Sequence, residues 1–115
     1  MYTIYGIPNC DVIKKATTWF QANKIPYKFH DYKKEGISAE KLISWCTQQG
    51  WEIFLNKRST TWKELGGAVQ SGVRSQESAI VVMQEHNSII KRPVIEKNGK
   101  VVAVGFDEKK YGEML

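Results

Sequence analysis

The chain has 115 residues, of which 42% are hydrophobic and 25% charged, and this composition is typical of one folded globular domain. The formal net charge of +5 favours anionic partners, but acidic residues separate the basic pairs, so composition alone does not choose between nucleic acid and small anions. The sequence shows no apolar run of the ~18–20 residues that a membrane span needs and no signal peptide, and two cysteines are too few for a disulfide framework or a four-cysteine metal site. We therefore expect a cytoplasmic protein without a membrane anchor, and we predict no metal site.

The first predicted elements in chain order form a strand–helix–strand unit. Residues 1–5 are β-branched and aromatic, which predicts a strand, and residues 6–9 break it. From residue 10 to about residue 22, the apolar positions recur at helical spacing (Ile13, Ala16 and Phe20), with Asn9 as the candidate N-cap. Residues 27–32 predict a second strand. A helix between two strands favours a parallel pair with a right-handed crossover.

The middle of the chain predicts helices. Residues 38–40 resemble the capped start of a segment that ends near Gly50 and has an apolar face of Leu42, Trp45 and Cys46. A short helix is predicted at residues 62–65 and is closed by Gly66 and Gly67. Residues 75–85 fit a helix or a strand by periodicity alone, but Ser75 and Ser78 suit a capped helix start, so we predict a helix.

The C-terminal part predicts a β-hairpin and a helix. Asn98 and Gly99 stand between two β-branched runs, residues 94–96 and 101–104, and this pattern indicates a hairpin turn. Asp107 then opens a short helix that runs to Leu115. The order β-α-β, a helical insertion at about 36–90, and β-β-α predicts an α/β protein with a mixed four-stranded sheet. This order matches a thioredoxin-like fold, with residues 1–115 forming a single domain.

Cys10 is the main candidate for chemistry, because this fold places it between the first strand and the first helix. At a helix N-terminus, unpaired backbone N–H groups and the helix dipole favour a thiolate, which is the reactive form of cysteine. The alternative is a buried cysteine that only packs. Ile13 occupies the position that would complete a Cys-x-x-Cys motif, so a single reactive thiol would need an external thiol such as glutathione to resolve its adduct. Cys46 lies on an apolar stripe, and we predict a packing role for it.

Two arginines are candidates for binding an anion near this thiol. Arg92 and Pro93 directly precede a predicted strand, where a thioredoxin-like sheet carries a cis proline opposite the turn with the cysteine. A guanidinium group binds oxyanions and carboxylates through paired hydrogen bonds, so Arg92 is suited to that position. Arg58 lies in a loop within the helical insertion and is the second candidate. The alternative for each is an ordinary surface arginine.

Ordered motifs along the chain resemble the ArsC/Spx family, which is related to arsenate reductases, and the YffB-like branch is the most similar. They are YGIPNCD at 5–11, FHDYKK at 29–34, LNKRSTTW at 55–62 and KRPV at 91–94. The resemblance implies a thioredoxin-like fold with a helical insertion and a nucleophilic Cys10. It also implies that Arg58 and Arg92 hold an anionic substrate or a glutathione adduct, beside Asn9 and the cis proline Pro93.

The function implied by this resemblance is glutathione-dependent thiol–disulfide reduction, with glutathione as co-substrate, glutaredoxin as a further partner and no bound cofactor. The sequence leaves the oligomeric state open, and a monomer is the simplest expectation. Arsenate reduction ranks lower, because glutathione-linked arsenate reductases carry a third arginine after the last hairpin strand, where this chain has Val104, Gly105 and Phe106. A Spx-like regulator that binds RNA polymerase without catalysis is the alternative from another class. A nucleic-acid-binding module ranks last, because basic and acidic residues alternate along the chain.

Overall fold

The fold contains a mixed four-stranded β-sheet, built from two strands near the start of the chain and two near its end. The computed structural model describes residues 1–114 and contains a four-stranded sheet in the order β2-β1-β3-β4. Its strands are β1 (Tyr2–Gly6), β2 (Tyr27–Asp31), β3 (Val94–Lys97) and β4 (Lys100–Val104). β1 pairs in parallel with β2 and antiparallel with β3, and β3 and β4 form an antiparallel hairpin. The predicted sheet, with its βαβ and ββα halves, is confirmed.

The helices follow the predicted order, with several short additions. They are α1 (Asp11–Ala22), α2 (Tyr32–Glu35), α3 (Ala39–Gln49), α4 (Trp51–Phe54), α5 (Thr60–Glu64), α6 (Gly67–Gly72), α7 (Gln76–Glu85) and α8 (Glu108–Met114), with a 3₁₀ helix at Asn87–Ile89. Tyr32 begins α2 instead of ending β2, and Gly67 begins α6 instead of closing the helix before it. Leu115, where the predicted terminal helix ends, lies outside the described residues.

The chain divides into two compact units, Met1–Glu35 with the chain from Arg92 onward, and Gly36–Lys91. The second unit spans the residues predicted as a helical insertion, while the assignment of residues 1–115 to a single domain stays a prediction. In the part of the chain that the structure describes, no helix is both long enough and apolar enough to cross a membrane.

The core of the first unit lies on one face of the sheet. Ile4 on β1 is directly opposite Ile95 on β3, and both are fully buried. Their neighbours in this core are Ala16, Phe20, Ala103 and Tyr111. Burying a side chain of the size of Ile or Phe contributes ~1.5–3 kcal/mol, so these contacts hold α1 and α8 against the sheet. The predicted apolar face of α1 is therefore the face that is buried.

The second unit is helical, and its caps explain where its helices begin. The Ser38 hydroxyl accepts a hydrogen bond from the Lys41 backbone N–H at the start of α3. Ser75 and Ser78 form a reciprocal capping box, which decides the ambiguous segment in favour of helix α7. On the buried side of α3, the Trp45 ring stacks on Phe54 with ring centroids 5.5 Å apart. The predicted packing role of the α3 apolar face is confirmed.

The turn between β3 and β4 follows from the Asn-Gly pair. Asn98 has φ 52° and Gly99 has φ 80°, so both take the left-handed backbone conformation. A two-residue hairpin turn of this kind matches the twist of its strands, and asparagine and glycine adopt it most readily. The predicted hairpin is confirmed.

Candidate active site

Cys10 is the N-cap residue of α1. Its backbone is extended, with φ −99° and ψ 133°, and its carbonyl oxygen accepts the first helical hydrogen bond from the Lys14 N–H at 3.0 Å. The side chain makes no capping hydrogen bond and is half-buried. The N–H groups of the first turn of a helix have no partner within the helix, and the N-cap position puts Cys10 at this end of α1.

The prediction that Asn9 caps α1 is wrong, because Cys10 holds the N-cap position. Asn9 is exposed and has φ 64°, in the left-handed region that asparagine tolerates better than most residues. This conformation turns the chain from Pro8 into the helix. The asparagine therefore contributes a backbone turn directly before the thiol, and its predicted part in substrate binding stays a prediction.

Gly6, at the end of β1, lets the first turn of α1 lie close to the sheet. A Cβ atom built on Gly6 would overlap Ile13 Cδ1 and lie 3.0 Å from Ile13 Cγ1. The same Cβ would lie 3.8 Å from the Cβ of Arg92. The absence of a side chain at Gly6 therefore leaves the space that the buried Ile13 side chain, from the first turn of α1, occupies against the sheet.

One edge of the sheet brings together the Cys10 turn, Arg92 and Pro93. β1 ends there, with Gly6 opposite Asp31 and Tyr5 opposite Val94, the first residue of β3. Arg92 and Pro93 immediately precede β3, so they lie at the edge where the chain leaves β1 for the Cys10 turn. Pro93 is buried and its carbonyl accepts a hydrogen bond from the Gly105 N–H at 2.7 Å. The Arg92–Pro93 peptide bond is cis, as predicted.

A buried polar network occupies the sheet next to this edge. The Tyr5 hydroxyl donates to Glu96 Oε1 at 3.0 Å, and each of these two residues is only 6% exposed. The Tyr5 ring lies 4.7 Å from the His30 ring, and His30 Nδ1 lies 4.0 Å from Glu35 Oε1. Because β1, β2 and β3 each contribute a member, the network ties together the three strands nearest the Cys10 turn.

The positive charge of Arg92 acts on Tyr32, which lies beside this network. Burial raises the pKa of Tyr32 well above its ordinary value, Tyr5 and Glu96 raise it further, and the Arg92 guanidinium lowers it. Burial also raises the pKa of Tyr5, and the neighbouring Glu96 carboxylate adds to that rise. Both phenols therefore stay protonated at neutral pH, and Tyr5 acts as a hydrogen-bond donor there.

No local sequence pattern predicts this network. Tyr5 and Glu96 are 91 positions apart, and only the pairing of β1 with β3 brings them together. One sequence signal does exist, since Glu96 puts a charged side chain directly after Val94 and Ile95 in the predicted hairpin strand, a strand that is buried in the structure. A charged residue in such a position needs a buried partner.

Arg58, the second candidate arginine, belongs to the second unit. It is exposed and lies in the turn that leads into α5, where its backbone N–H donates to Asn56 Oδ1 at 3.1 Å. Ser59 caps α5 by accepting from the Trp62 N–H. Asn56 and Ser59 thus hold the turn in place, and the Arg58 side chain is exposed. The role of Arg58 in binding at the Cys10 thiol stays a prediction.

Cys46 is buried, whereas Cys10 is half-buried. It is 3% exposed on the packed face of α3, and burial raises the pKa of its thiol to about 11. Both cysteines are free of disulfide bonds. No cluster of three or more His, Cys, Asp or Glu residues that could hold a metal ion occurs within residues 1–114.

The strand order and the half-buried thiol at the start of α1 are those of thioredoxin-like α/β proteins. The ArsC family model matches residues 5–114, and the chain belongs to the ArsC family. The structure of a YffB protein covers 100% of this chain and 99% of its own, with a TM-score of 0.93 and 42% identity. An arsenate reductase (ArsC) related protein from Brucella melitensis is 45% identical, with a TM-score of 0.78, and the match covers 97% of this chain and 92% of that one.

A curated relative points to a different class of protein. The global transcriptional regulator Spx of Enterococcus faecalis is 27% identical over 117 residues, which cover 100% of this chain and 86% of the regulator. The predicted family and the predicted thioredoxin-like fold are both confirmed by these comparisons. The family includes proteins related to arsenate reductases and transcriptional regulators.

Proposed function

We propose that the protein is a cytoplasmic, monomeric thiol–disulfide reductase that uses Cys10 as its nucleophile and glutathione as its co-substrate. The observation that carries this proposal is the position of Cys10, half-buried at the N-cap of α1 with its thiol outside the capping hydrogen bonds. A thiol in this position is partly exposed, and the start of a helix is a common place for the reactive cysteine of thiol–disulfide exchange enzymes. The family, with its arsenate reductase-related members, agrees with an oxidoreductase.

The reaction proceeds by two thiol–disulfide exchanges. In the first, the Cys10 thiolate attacks the glutathione sulfur of a mixed disulfide, the substrate S–S bond breaks, and the substrate sulfur leaves as a thiolate that takes a proton from water. In the second, a glutathione thiolate attacks the glutathione sulfur of the Cys10 adduct and releases glutathione disulfide, which regenerates the Cys10 thiolate. The mixed disulfide and one glutathione thiol thus become the substrate thiol and one glutathione disulfide.

In this proposal the surrounding residues bind the glutathione moiety and orient the sulfur atoms. Arg92 and Arg58 bind the glutathione carboxylates, for which the guanidinium fork is suited. The Pro93 segment and Asn9 line the adduct beside Cys10. Glutaredoxin serves as an additional reductant of the adduct.

The test is intact-mass analysis after incubation with glutathione disulfide, for the wild type, Cys10→Ser and the matched control Cys46→Ser. We expect one glutathione adduct in the wild type and in Cys46→Ser, and none in Cys10→Ser. Turnover of a glutathione mixed disulfide should be lost in Cys10→Ser as well. Retention of turnover in Cys10→Ser would show that the nucleophile is assigned to the wrong residue.

A conservative arginine variant tests the binding role separately. Arg92→Lys keeps the charge but loses the planar pair of donors, so KM for glutathione should rise about tenfold, which is ~1.4 kcal/mol, while the Cys10 adduct still forms. If arsenate with glutathione and glutaredoxin gives turnover comparable to that of the mixed disulfide, the narrower activity of arsenate reduction replaces the general one.

A Spx-like regulator is the second candidate, because Spx is similar to this chain along its whole length. Such a protein would bind RNA polymerase and have no catalytic role. Binding of the C-terminal domain of the polymerase α subunit to the immobilised protein distinguishes the two functions. Specific, saturable binding that Cys10→Ser leaves unchanged, together with absent turnover, would favour the regulator.

A further inference from the structure

We infer that a groove along α1 binds an acidic polypeptide segment of the disulfide substrate, an inference that rests on the proposed function and specifies its substrate class. The groove lies in the first unit, between α1 and the segment that joins β4 to α8, and has a volume of about 600 Å³. Its lining consists of Lys14, Lys15, Thr18, Trp19, Ala22, Phe106 and Glu108. A volume of this size accepts a large side chain with part of its backbone.

Aromatic rings form the apolar part of the groove. Trp19 and Phe106 both contact the buried ring of Tyr111 edge-on, with ring centroids 5.3 Å and 5.1 Å from it. Tyr111 is in turn fixed by the hydrogen bond from its hydroxyl to the Gly105 carbonyl at 2.7 Å. The two half-buried rings are therefore held on a rigid base, which suits them to receive an apolar or aromatic side chain.

The charge of the groove favours an acidic ligand. Lys14 and Lys15 are adjacent and exposed on its rim, and Glu108 is the acidic residue of the lining. Two lysines on one rim complement a short acidic segment, whereas the continuous phosphates of nucleic acid would also meet Glu108. An acidic polypeptide therefore fits this surface better than a nucleic acid does.

The groove lies on the helix that begins at the proposed nucleophile. Lys14, the first residue of its lining, is about one turn beyond Cys10, and the Cys10 carbonyl is bonded to the Lys14 N–H. Nine positions separate Cys10 from Trp19, which is ~14 Å along the helix axis and, at about 100° per residue, roughly half a turn around it. On a helix about 10 Å wide this path is ~21 Å long and is spanned by about six residues of extended peptide. A substrate attached through sulfur at Cys10 reaches the aromatic rings when it carries acidic residues next to its cysteine and an aromatic residue about six positions away.

The test separates binding from chemistry. The first probe is a peptide with serine in place of cysteine, two glutamates, and a phenylalanine six positions from the serine, made in both chain directions. Its binding to the Cys10→Ser protein is followed through the indole N–H signal of Trp19, which the Trp19→Phe variant identifies. The other tryptophans, Trp45, Trp51 and Trp62, belong to the second unit.

Charge reversal on the rim decides the inference. Lys14→Glu with Lys15→Glu should weaken binding of the peptide at least tenfold, which is ~1.4 kcal/mol. The matched control, Lys109→Glu with Lys110→Glu, makes the same charge change on exposed residues of α8 outside the groove and should change binding less than twofold. Equal losses in the two double variants, no loss in either, or tighter binding of a single-stranded oligonucleotide would each overturn the inference.

A second arm tests the proposed function by itself. The cysteine form of the peptide, as its glutathione mixed disulfide, is offered to the wild type beside a peptide with lysines in place of the glutamates. We expect the acidic peptide to be reduced with a KM at least tenfold lower. Binding in the first arm with no turnover of either peptide would refute the reductase and leave the acidic-peptide groove established.

Discussion

Replacing Tyr5 with phenylalanine should destabilise the fold more than any surface tyrosine change, because it removes a buried hydrogen bond to Glu96. The hydroxyl and Oε1 are 3.0 Å apart, and both residues are almost fully buried. A hydrogen bond to a charged group contributes ~1.5–3 kcal/mol, and losing a buried donor leaves the Glu96 carboxylate with one hydrogen bond fewer in a place that water does not reach. For a domain of about this size, each kcal/mol lowers Tm by roughly 4 °C, so Tm should fall by about 6–12 °C.

The matched control is Tyr27→Phe, whose hydroxyl accepts a hydrogen bond from Gln21 Nε2 at 3.1 Å in an exposed position. Its effect should stay below about 0.5 kcal/mol. Urea unfolding followed by circular dichroism gives both values, and a double-mutant cycle with Glu96→Gln should return a coupling energy of at least ~1 kcal/mol between Tyr5 and Glu96. If Tyr5→Phe and Tyr27→Phe lose the same stability, the buried bond contributes no net energy and our reasoning about the network fails.

Three further predictions concern packing, titration and capping. Gly6→Ala forces a Cβ into the space of the Ile13 side chain, so it should lower the free energy of unfolding by ~1–3 kcal/mol. It should also slow glutathione-adduct formation at Cys10, and an unchanged rate would contradict the role of Gly6. Burial raises the pKa of Cys46 to about 11 from 9.0, so the folded chain holds this proton more tightly than the unfolded chain. This stabilisation is complete at a pH below the pKa of the unfolded thiol and is lost as the pH rises toward the pKa of the folded thiol. Between pH 9 and 10, urea titrations should therefore show a smaller fall in the free energy of unfolding for Cys46→Ala than for the wild type. Ser75→Ala removes the acceptor for the Ser78 N–H in the capping box of α7 and should cost about 1 kcal/mol in thermal unfolding, whereas Ser75→Asn should retain most of it.

Local sequence signals predicted those elements that are long enough to show a repeating pattern. The apolar period of α1, the capping serines of α3 and α7, and the Asn-Gly turn at residues 98–99 each act within a few positions, and the structure contains all of them. The short helices α2 and α4 have four residues each. One helical turn is too short to display a period, and it forms only when tertiary contacts hold it. These helices were therefore absent from the prediction.

The candidate site was predictable in its residue types and less so in its geometry. Cys10 at the start of α1 and the cis bond before Pro93 followed from position in the element order and from the family resemblance. Asn9 was assigned the wrong structural role, because asparagine suits both an N-cap and a left-handed turn and the sequence does not say which. The bond from Tyr5 to Glu96 depends on strand register across 91 positions, which no local pattern encodes.

The pairing of β1 also determines when the sheet can be completed during synthesis. β1 is an inner strand, with β2 on one side and β3 on the other, and Tyr2 is paired with Lys97. While the ribosome makes Gly36–Lys91, β1 and β2 already exist but β1 still exposes the backbone edge that β3 will cover. Such an edge is a template for pairing with other chains, and closing it requires a contact across almost the whole sequence. The sheet therefore cannot close until β3 has been made, and until then the unpaired edge of β1 is open to pairing with other chains.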